Sequence, residues 1–329
     1  MADVNEEHIR VRRFDADRTD QILSFEEALR AHPTQRQLLW IDITDHVTPD
    51  EAAKLGAAFA LEQRTRAALE RTDEQPDFGI QGDYLHVRVA AEPDASKPEG
   101  TPWLDILAGK NVVISHHEAP IGFLGSIDER IEADATFGTL GAGTFLAALL
   151  DAAITSYHRA VDAIEDDVDE LDTKSLLDPG PELLGDLVRV RRRIARLRRL
   201  LVNHRELFAS LDSLEAGMVA GDPESAAAFK AVNSRFDGAV AAVEDSREVL
   251  LGSFEVYMTR TAQRTNDVVK VLTFATILLL PGSLVAGLLG MNVVVPLGKD
   301  DPLSFWIVVA GVILFGAAIL VVARARRWL

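Results

Sequence analysis

One face of a helical segment near the C-terminal end of the chain is built from polar and small side chains. The residues on this face are spaced three or four apart and are Asn266, Val269, Thr273, Thr276, Leu280, Ser283, Gly287 and Gly290. Amide and hydroxyl groups in such a row could line a polar path for a hydrated ion. Small residues also allow membrane helices to pack tightly, and hydroxyl groups can bond back to the helix backbone. The row alone leaves both interpretations open.

The polar row lies within the first of two long apolar runs. Residues 271–289 and 303–323 carry no charged side chain, and each run has about the 20 residues that a helix needs to cross the hydrocarbon layer. The side chains opposite the polar row are bulky and suited to lipid: Phe274, Ile277, Leu278 and Leu288. We therefore predict two transmembrane helices at the C-terminal end, with membrane lipid as a partner.

The charges beside these runs indicate how the chain is oriented. The connection between the runs holds Lys299, Asp300 and Asp301, and the segment after the second run holds Arg324, Arg326 and Arg327. The positive-inside rule then predicts that both termini are cytoplasmic. The first twenty residues contain no apolar signal-peptide core, so we expect no secretory signal and a multi-pass protein of the cell inner or plasma membrane.

The composition argues against several classes of function. The net charge of −17 makes nucleic acid an unsuitable partner, and suits either cations or simple solubility. The absence of cysteine excludes disulfides and thiolate metal sites. Adjacent His116 and His117 would point to opposite faces of a strand and make a poor single metal site. No P-loop, HExxH or GxSxG motif is present, so we expect neither an enzyme nor a cofactor.

The N-terminal residues 1–143 predict a cytoplasmic α/β domain. Apolar runs typical of strands occur at residues 38–44, 84–90, 103–107 and 111–115, the last two around an Ala-Gly-Lys turn. Residues 144–222 predict a helical hairpin, in which an acidic and a basic helix flank the turn from Asp178 to Pro181. The charges are Asp162, Glu165, Asp166, Asp167, Asp169, Glu170 and Asp172 on the first arm, and Arg189, Arg191, Arg192, Arg193, Arg196, Arg198 and Arg199 on the second. Opposite charge should attract the arms, although such runs are often simply solvated.

Residues 223–289 predict one long helix, because no helix breaker precedes Pro281. This helix would form a stalk and continue into the first transmembrane helix at about residues 270–289. A helix of this length cannot bury its apolar side alone, so we expect it to bundle with further copies of the chain. A connection of residues 290–302, the second span of residues 303–323 and a basic cytoplasmic tail of residues 324–329 complete the chain.

The sequence of residues 257–292, YMTRTAQRTNDVVKVLTFATILLLPGSLVAGLLGMN, resembles the first transmembrane segment of the CorA family of divalent-cation transporters. The matching features, in order, are Tyr257, Asn266, Leu272, Thr273, Pro281, Gly287 and the terminal Gly290, Met291 and Asn292. A second span directly after a short connection and a basic tail strengthen the resemblance. It is specific from Tyr257 onward and architectural over the rest of the chain.

The resemblance implies a funnel-shaped homopentamer whose first span lines a pore and whose second span faces lipid. Gly290, Met291 and Asn292 would form the selectivity filter, above a pore lined by Asn266, Val269, Leu272, Thr273, Thr276, Leu280, Ser283 and Gly287. The cargo would be a divalent cation, Mg²⁺ before Co²⁺ or Ni²⁺. Mg²⁺ gives up its inner waters reluctantly, so a ring of amide oxygens suits its hydrated form. Asp300 and Asp301 would attract cations to the mouth or be ordinary loop residues.

The chain departs from the family pattern at the positions that bind a gating metal. The acid on the stalk falls on Ala231, and its partner acids fall on Ala67 and Ala68, none of which can bind a metal. Nearby acids that could form a regulatory metal site, or be solvated, are Asp222, Glu224 and Asp237. Regulation by cytoplasmic metal is therefore left open.

Two alternatives follow from the same residues. The missing acids are compatible with a proton-linked zinc transporter of the related ZntB branch, although that branch has Gly-Ile-Asn or Gly-Val-Asn where this chain has Met291. From a different class, a membrane-anchored scaffold or sensor could use the same helices without conduction. The sequence does not fix the physiological cation, the direction of flow or any proton coupling.

Overall fold

The computed structural model describes residues 8–17, 20–69, 74–91, 101–109, 111–125, 127, 141–177, 180–213, 223–291 and 302–325. The contacts within the chain divide it into two units. The first unit contains Met1–Thr173 and Pro181–Gly252, and the second contains Lys174–Gly180 and Ser253–Leu329.

Within the described residues, a seven-stranded sheet organises the first unit. Its strands are β1 Ile9–Asp15, β2 Gln21–Leu23, β3 Gln37–Thr44, β4 Asp77–Gln81, β5 Tyr84–Ala90, β6 Trp103–Gly109 and β7 Val112–His117. Their order in the sheet is β2-β1-β3-β7-β6-β5-β4. Neighbouring strands are antiparallel except β3 and β7, which are parallel. The predicted strands β3, β5, β6 and β7 are confirmed, and β1, β2 and β4 are additional to the prediction.

The connection between β6 and β7 begins later than the sequence predicts. Ala108 and Gly109 still belong to β6, so the prediction of an Ala-Gly-Lys turn was wrong at its start. In the described part of this connection, Asn111 has a positive φ of 61°, which asparagine tolerates better than most residues. Its side-chain nitrogen donates a hydrogen bond of 2.8 Å to the carbonyl of Thr34, and this bond holds the turn against the loop before β3.

The sheet buries a different set of side chains on each face. On one face, apolar residues of β1, β3 and β7 pack in a single cluster with helices α1 Phe25–Arg30 and α2 Pro49–Ala58. Both helices begin with a capping box, Ser24 with Glu27 and Thr48 with Glu51, and a third helix, α3 Gln63–Leu69, follows. On the other face, the ring of Phe145 lies 5.4 Å from that of Trp40. The sheet is therefore covered on both sides by helices.

Three long helices follow the sheet: α4 Ala142–Leu177, α5 Pro181–Asp212 and α6 Pro223–Gly290. Each buries an apolar stripe within the first unit, and the rings of Phe208 on α5 and Phe236 on α6 stack at 4.2 Å. Among the described residues, Arg193 pairs with Asp167 across the predicted hairpin. Further pairs between these helices are Arg198 with Glu244 and Arg235 with Asp151. The arms are therefore held mainly by buried apolar side chains, and most of their charges point outward.

The second unit contains the end of α6 and the last helix, α7 Pro302–Ala325. Helix α6 runs for 68 residues and continues through Pro281 without a break, as the sequence predicts. Both helices are long and apolar enough to cross a membrane, and their apolar segments are exposed. The fold class predicted from the sequence, an α/β domain followed by a long helix and two C-terminal apolar helices, is confirmed.

Helices α6 and α7 approach each other closely at two glycines. A Cβ atom placed on Gly282 would lie 3.5 Å from Cγ1 of Val312, and one placed on Gly316 would lie 3.5 Å from Cδ2 of Leu278. The half-buried residues of the predicted first span all lie on this face of α6: Phe274, Leu278, Pro281, Gly282 and Val285. The assignment of Leu278 to lipid was therefore wrong, because it packs at Gly316 of α7.

Candidate functional site

The predicted polar row lies on the side of α6 that faces away from α7. All eight of its residues, from Asn266 to Gly290, lie in the continuous helix and are exposed within this chain. At about 100° per residue, their mean direction is roughly opposite to the face that contains Leu278 and Gly282. We call this row the polar stripe. Leu272, predicted as a further pore residue, lies beside it and is also exposed.

The hydroxyl groups of the polar stripe have fixed directions. Thr273 Oγ1 donates a hydrogen bond to the carbonyl of Val269 at 2.8 Å, and Ser283 Oγ donates to that of Leu279 at 2.9 Å. Thr276 Oγ1 donates to the carbonyl of Leu272 at 2.9 Å in the same way. Because a hydroxyl has one donor and two acceptor positions, each oxygen can still accept hydrogen bonds from outside the helix. The stripe therefore presents acceptors, which is the polarity that suits the water shell of a cation.

Contacts with the described residues do not explain the glycines of the polar stripe. A Cβ atom on Gly287 or Gly290 would meet no described atom within 4 Å, unlike one on Gly282. Small residues that allow close helix packing must lie where a partner helix approaches. Contact with α7 accounts for Gly282, and it does not account for Gly287 and Gly290.

The predicted filter begins where α6 ends. Gly290 is the last residue of the helix, and the next residue, Met291, donates its backbone N–H to the carbonyl of Leu288 at 3.3 Å. The side chain of Met291 is 53% exposed. Asn292, Asp300 and Asp301 lie outside the described residues.

The acids proposed for a regulatory metal site do not form a cluster in the described structure. Glu224 and Asp237 both lie exposed on α6, and 13 intervening helical rises separate them by about 20 Å. Asp222 lies outside the described residues. Ala231 and Ala67, at the positions that the resemblance predicts for the gating acids, are exposed, and the side chain of Ala68 is not described. No group of three or more metal-binding side chains occurs among the residues that the structure describes.

Sequence reasoning missed two buried polar clusters in the sheet. In the first, the Asp105 carboxylate accepts from Arg88 and lies 2.9 Å from Nε2 of His86. All three side chains are buried. Asp105 and Arg88 are cross-strand neighbours. Their positions along the chain do not predict this contact, because the pairing of β5 with β6 brings them together.

The second cluster surrounds Asp42. Ser115 Oγ donates to this carboxylate at 2.6 Å, Arg10 donates at 2.6 Å, and Nε2 of His117 lies 3.5 Å away. Burial by itself would raise the pKa of Asp42, but these neighbours outweigh it and lower the pKa. Burial lowers the pKa of His116, whose Nε2 lies 3.0 Å from the Asp45 carbonyl oxygen. The hydrogen bonds to Asp42 link β1, β3 and β7, whereas Nδ1 of His116 and Nε2 of His117 are buried without a hydrogen-bond partner among the described residues.

Taken together, two exposed apolar helices and a polar stripe turned away from their contact define a membrane protein with a C-terminal pair of spans. Residues 35–324 match the family described as CorA-like Mg²⁺ transporter protein. The chain is 23% identical to the cobalt/magnesium transport protein CorA of Thermotoga maritima over 257 residues, 77% of this chain and 72% of that protein. It is 28% identical to the divalent cation transporter CmaX of Pseudomonas aeruginosa over 276 residues, 82% of this chain and 78% of that protein.

The complete structure of the CorA magnesium transporter from Methanocaldococcus jannaschii has the same fold. It superposes with a TM-score of 0.77 at 20% identity, and the match covers 98% of both chains. The chain belongs to the CorA family. It is a divalent-cation transporter of the membrane and not an enzyme.

Proposed function

We propose that the chain transports Mg²⁺ through a pore at the centre of a homopentamer, with one α6 helix from each subunit lining the pore. The observation that carries the proposal is the polar stripe, which has acceptor oxygens and bare glycines on the side of the span that faces away from α7. In a lone chain this face would place polar groups against lipid, which is unfavourable. Around a central axis the same face borders water and ions.

The chemistry of the stripe suits a cation that keeps its water shell. Mg²⁺ binds its inner waters tightly, and those waters turn their hydrogens outward. The oxygens of Thr273, Thr276 and Ser283 can accept these hydrogens without removing a water from the ion. Leu272 and Leu280, 66% and 60% exposed within this chain, would form apolar constrictions that can close by expelling water.

Selection of the ion is assigned to a ring of Asn292 side chains at the outer end of the pore, directly after Gly290 and Met291. A neutral amide ring can hold a hydrated dication by hydrogen bonds and still release it, whereas a carboxylate ring would hold it more tightly. Asp300 and Asp301 would raise the local cation concentration at this mouth. With both termini in the cytoplasm, a dication moving inward through 100 mV gains about 4.6 kcal/mol, so the membrane potential can drive uptake.

The test is flux into proteoliposomes that contain the full chain. Asn292→Ala should lower Mg²⁺ uptake by about tenfold or more, a barrier increase of at least about 1.4 kcal/mol. Asn292→Asp should slow release of the ion. A matched control is Leu314→Ala, because Leu314 is an exposed residue of α7 away from the stripe. Normal uptake by both Asn292 variants would refute conduction through this ring.

The same preparation separates the alternative functions. Uptake of Mg²⁺, Co²⁺, Ni²⁺ and Zn²⁺ is measured with and without a pH gradient and with the membrane potential clamped. Uptake of Mg²⁺ that follows the potential supports the proposal. Zinc uptake that requires the pH gradient would favour a proton-linked zinc transporter, and absence of flux for every ion would favour a scaffold or sensor.

A further inference from the structure

Eight charges on the helical hairpin have no partner within the described structure. Four acids lie on the outward side of α4, which we call the acidic face: Asp162, Glu165, Asp166 and Asp169. Four arginines lie outward on α5, which we call the basic face: Arg191, Arg192, Arg196 and Arg199. All eight side chains are exposed, and among the described residues none of them makes an ion pair or a hydrogen bond. The neighbouring charges that do form ion pairs are Asp167, Arg189, Arg193 and Arg198.

The two faces match in length and spacing. Asp162, Asp166 and Asp169 occupy positions i, i+4 and i+7 of one helix, and Arg192, Arg196 and Arg199 repeat the same spacing on the other. Each row therefore covers two helical turns, about 10 Å.

Neither charged face lies on the side of its helix that is buried. On α5 the buried stripe includes Leu187, Val190, Ile194 and Leu197, and the row of Arg192, Arg196 and Arg199 lies on the opposite side of the helix. On α4 the buried positions Val161, Ile164 and Val168 are likewise turned away from the acidic row. The two faces point outward from the fold, where another molecule can reach them.

We propose that the acidic face of one subunit docks on the basic face of the next subunit. This inference rests on the proposed ring assembly and names a contact that would hold neighbours in it. Two different faces of one chain that fit each other make a head-to-tail contact, which repeats until the ring closes. Four carboxylates against four guanidinium groups leave the contact electrically neutral, so no copy is repelled, and the complementary charges fix which face meets which.

The local charges of the two faces argue for a second copy as the occupant. The basic face lacks the interleaved aromatic side chains typical of single-stranded nucleic-acid binding. A second copy supplies the opposite charge on a row of the same length.

Charge reversal in two separately tagged chains tests the proposal. The acid-reversed chain carries Asp162→Lys, Asp166→Lys and Asp169→Lys. The base-reversed chain carries Arg192→Glu, Arg196→Glu and Arg199→Glu. A control chain carries all six changes, which keeps the net charge of the parent. Each full-length protein is purified in detergent, and its oligomer is measured by light scattering and by recovery of both tags.

The proposal predicts that each reversed chain alone loses the oligomer that the parent forms. Co-expression of the two should partly restore an oligomer containing both tags, because a ring of five alternating chains has four complementary contacts and one like-charged contact. The six-change chain should assemble like the parent. Assembly of each reversed chain at the parent level would overturn the inference. Assembly of the six-change chain with no assembly at all in the co-expressed mixture would also overturn the inference, because the charges would then act within one hairpin. If the parent chain is monomeric, the proposed ring assembly itself is wrong, whatever the reversed chains do.

A lipid partner gives a different pattern. If the base-reversed chain loses assembly only in vesicles that contain anionic lipid, while the acid-reversed chain assembles normally, the basic face meets headgroups and the proposal is wrong.

Cross-linking provides a second test that does not depend on charge reversal being tolerated. The chain contains no cysteine, so a chain with Asp166→Cys and a separately tagged chain with Arg196→Cys each carry a single thiol. The helical neighbours Asp162 and Asp169, and Arg192 and Arg199, are scanned in the same way to find the register. Oxidation of the mixed oligomer should give a disulfide-linked dimer that contains both tags. Products that contain a single tag in every pairing would show that like faces meet and would overturn the proposal.

Discussion

Gly287 and Gly282 lie on opposite faces of the same span, so replacing each with leucine should have separable effects. At Gly287 a Cβ atom would meet nothing described within 4 Å, and removing a glycine from a helix interior stabilises it by about 0.5–1 kcal/mol. We therefore expect the Gly287→Leu chain to fold normally. In the proposed pore it would place five apolar side chains in the path of the ion, and an apolar constriction expels water. Mg²⁺ uptake should fall about tenfold or more, a barrier increase of about 1.4 kcal/mol.

At Gly282 a leucine is expected to lower the stability of the protein. A Cβ atom would lie 3.5 Å from Val312 Cγ1, which is ordinary contact, so Gly282→Ala should be tolerated. The further atoms of a leucine would have to displace Val312, and overpacking of this kind costs about 1–3 kcal/mol. Gly282→Leu should therefore lower the thermal stability of the protein, and it serves as the comparison for Gly287→Leu.

The assay measures Mg²⁺ uptake with a fluorescent indicator inside proteoliposomes, and thermal unfolding in detergent by circular dichroism. Gly287→Leu should lose uptake at unchanged stability, whereas Gly282→Leu should lose stability. Normal uptake through Gly287→Leu would refute the pore assignment of the polar stripe. An equal loss of stability in both leucine variants would refute the argument that the two faces have different roles.

Three further predictions concern stability and the stripe. Burial lowers the pKa of His204 and of His116, so the folded chain keeps both imidazoles neutral where the unfolded chain, with a pKa of about 6.5, binds protons. Stability should thus fall as the pH is lowered below about 6.5, and His204→Phe should make thermal melts less dependent on pH. Phe236→Ala, at a fully buried stacked ring, should cost about 3–5 kcal/mol of unfolding free energy, while Ile22→Ala at an exposed position should change it by less than about 0.5 kcal/mol. Thr276→Val should lower Mg²⁺ uptake because it removes an acceptor oxygen, and Thr276→Ser should retain it; equal uptake by the two variants would contradict that role.

The strands that could be predicted are those whose own residues form a continuous apolar run. Strand β3 carries an almost unbroken run of buried side chains and β5 a fully buried one, and such runs are visible without knowing the partners. Strand β1 was missed because arginines interrupt its apolar residues, and only pairing with β3 shows which side chains face the core. Strand β4 is short, contains Gly79 and is largely half-buried, so neither its length nor its apolar content marks it.

The buried polar clusters could not be predicted for a related reason. The contact between Asp105 and Arg88 depends on the register of β5 and β6, and the contact between Asp42 and Ser115 depends on the parallel pairing of β3 and β7. Sequence distance says nothing about either register. A helix has a fixed period, so the polar stripe on α6 could be drawn from the sequence alone. What the sequence did not contain was the position of α7, which decides which face of α6 is left open.

The uncovered face also bears on the two explanations of the polar stripe. Back-bonding of Thr273, Thr276 and Ser283 satisfies their donors, so hydroxyl groups by themselves would be compatible with a lipid-facing helix. Glycine is different, because a bare backbone offers lipid no packing surface and weakens the helix. Gly287 and Gly290 meet no described atom of α7, so their presence favours an approach from outside the described residues, either by another α6 or by an ion with its water. Both would occur together around the axis of a ring, which is why we propose a pore at this face of the helix.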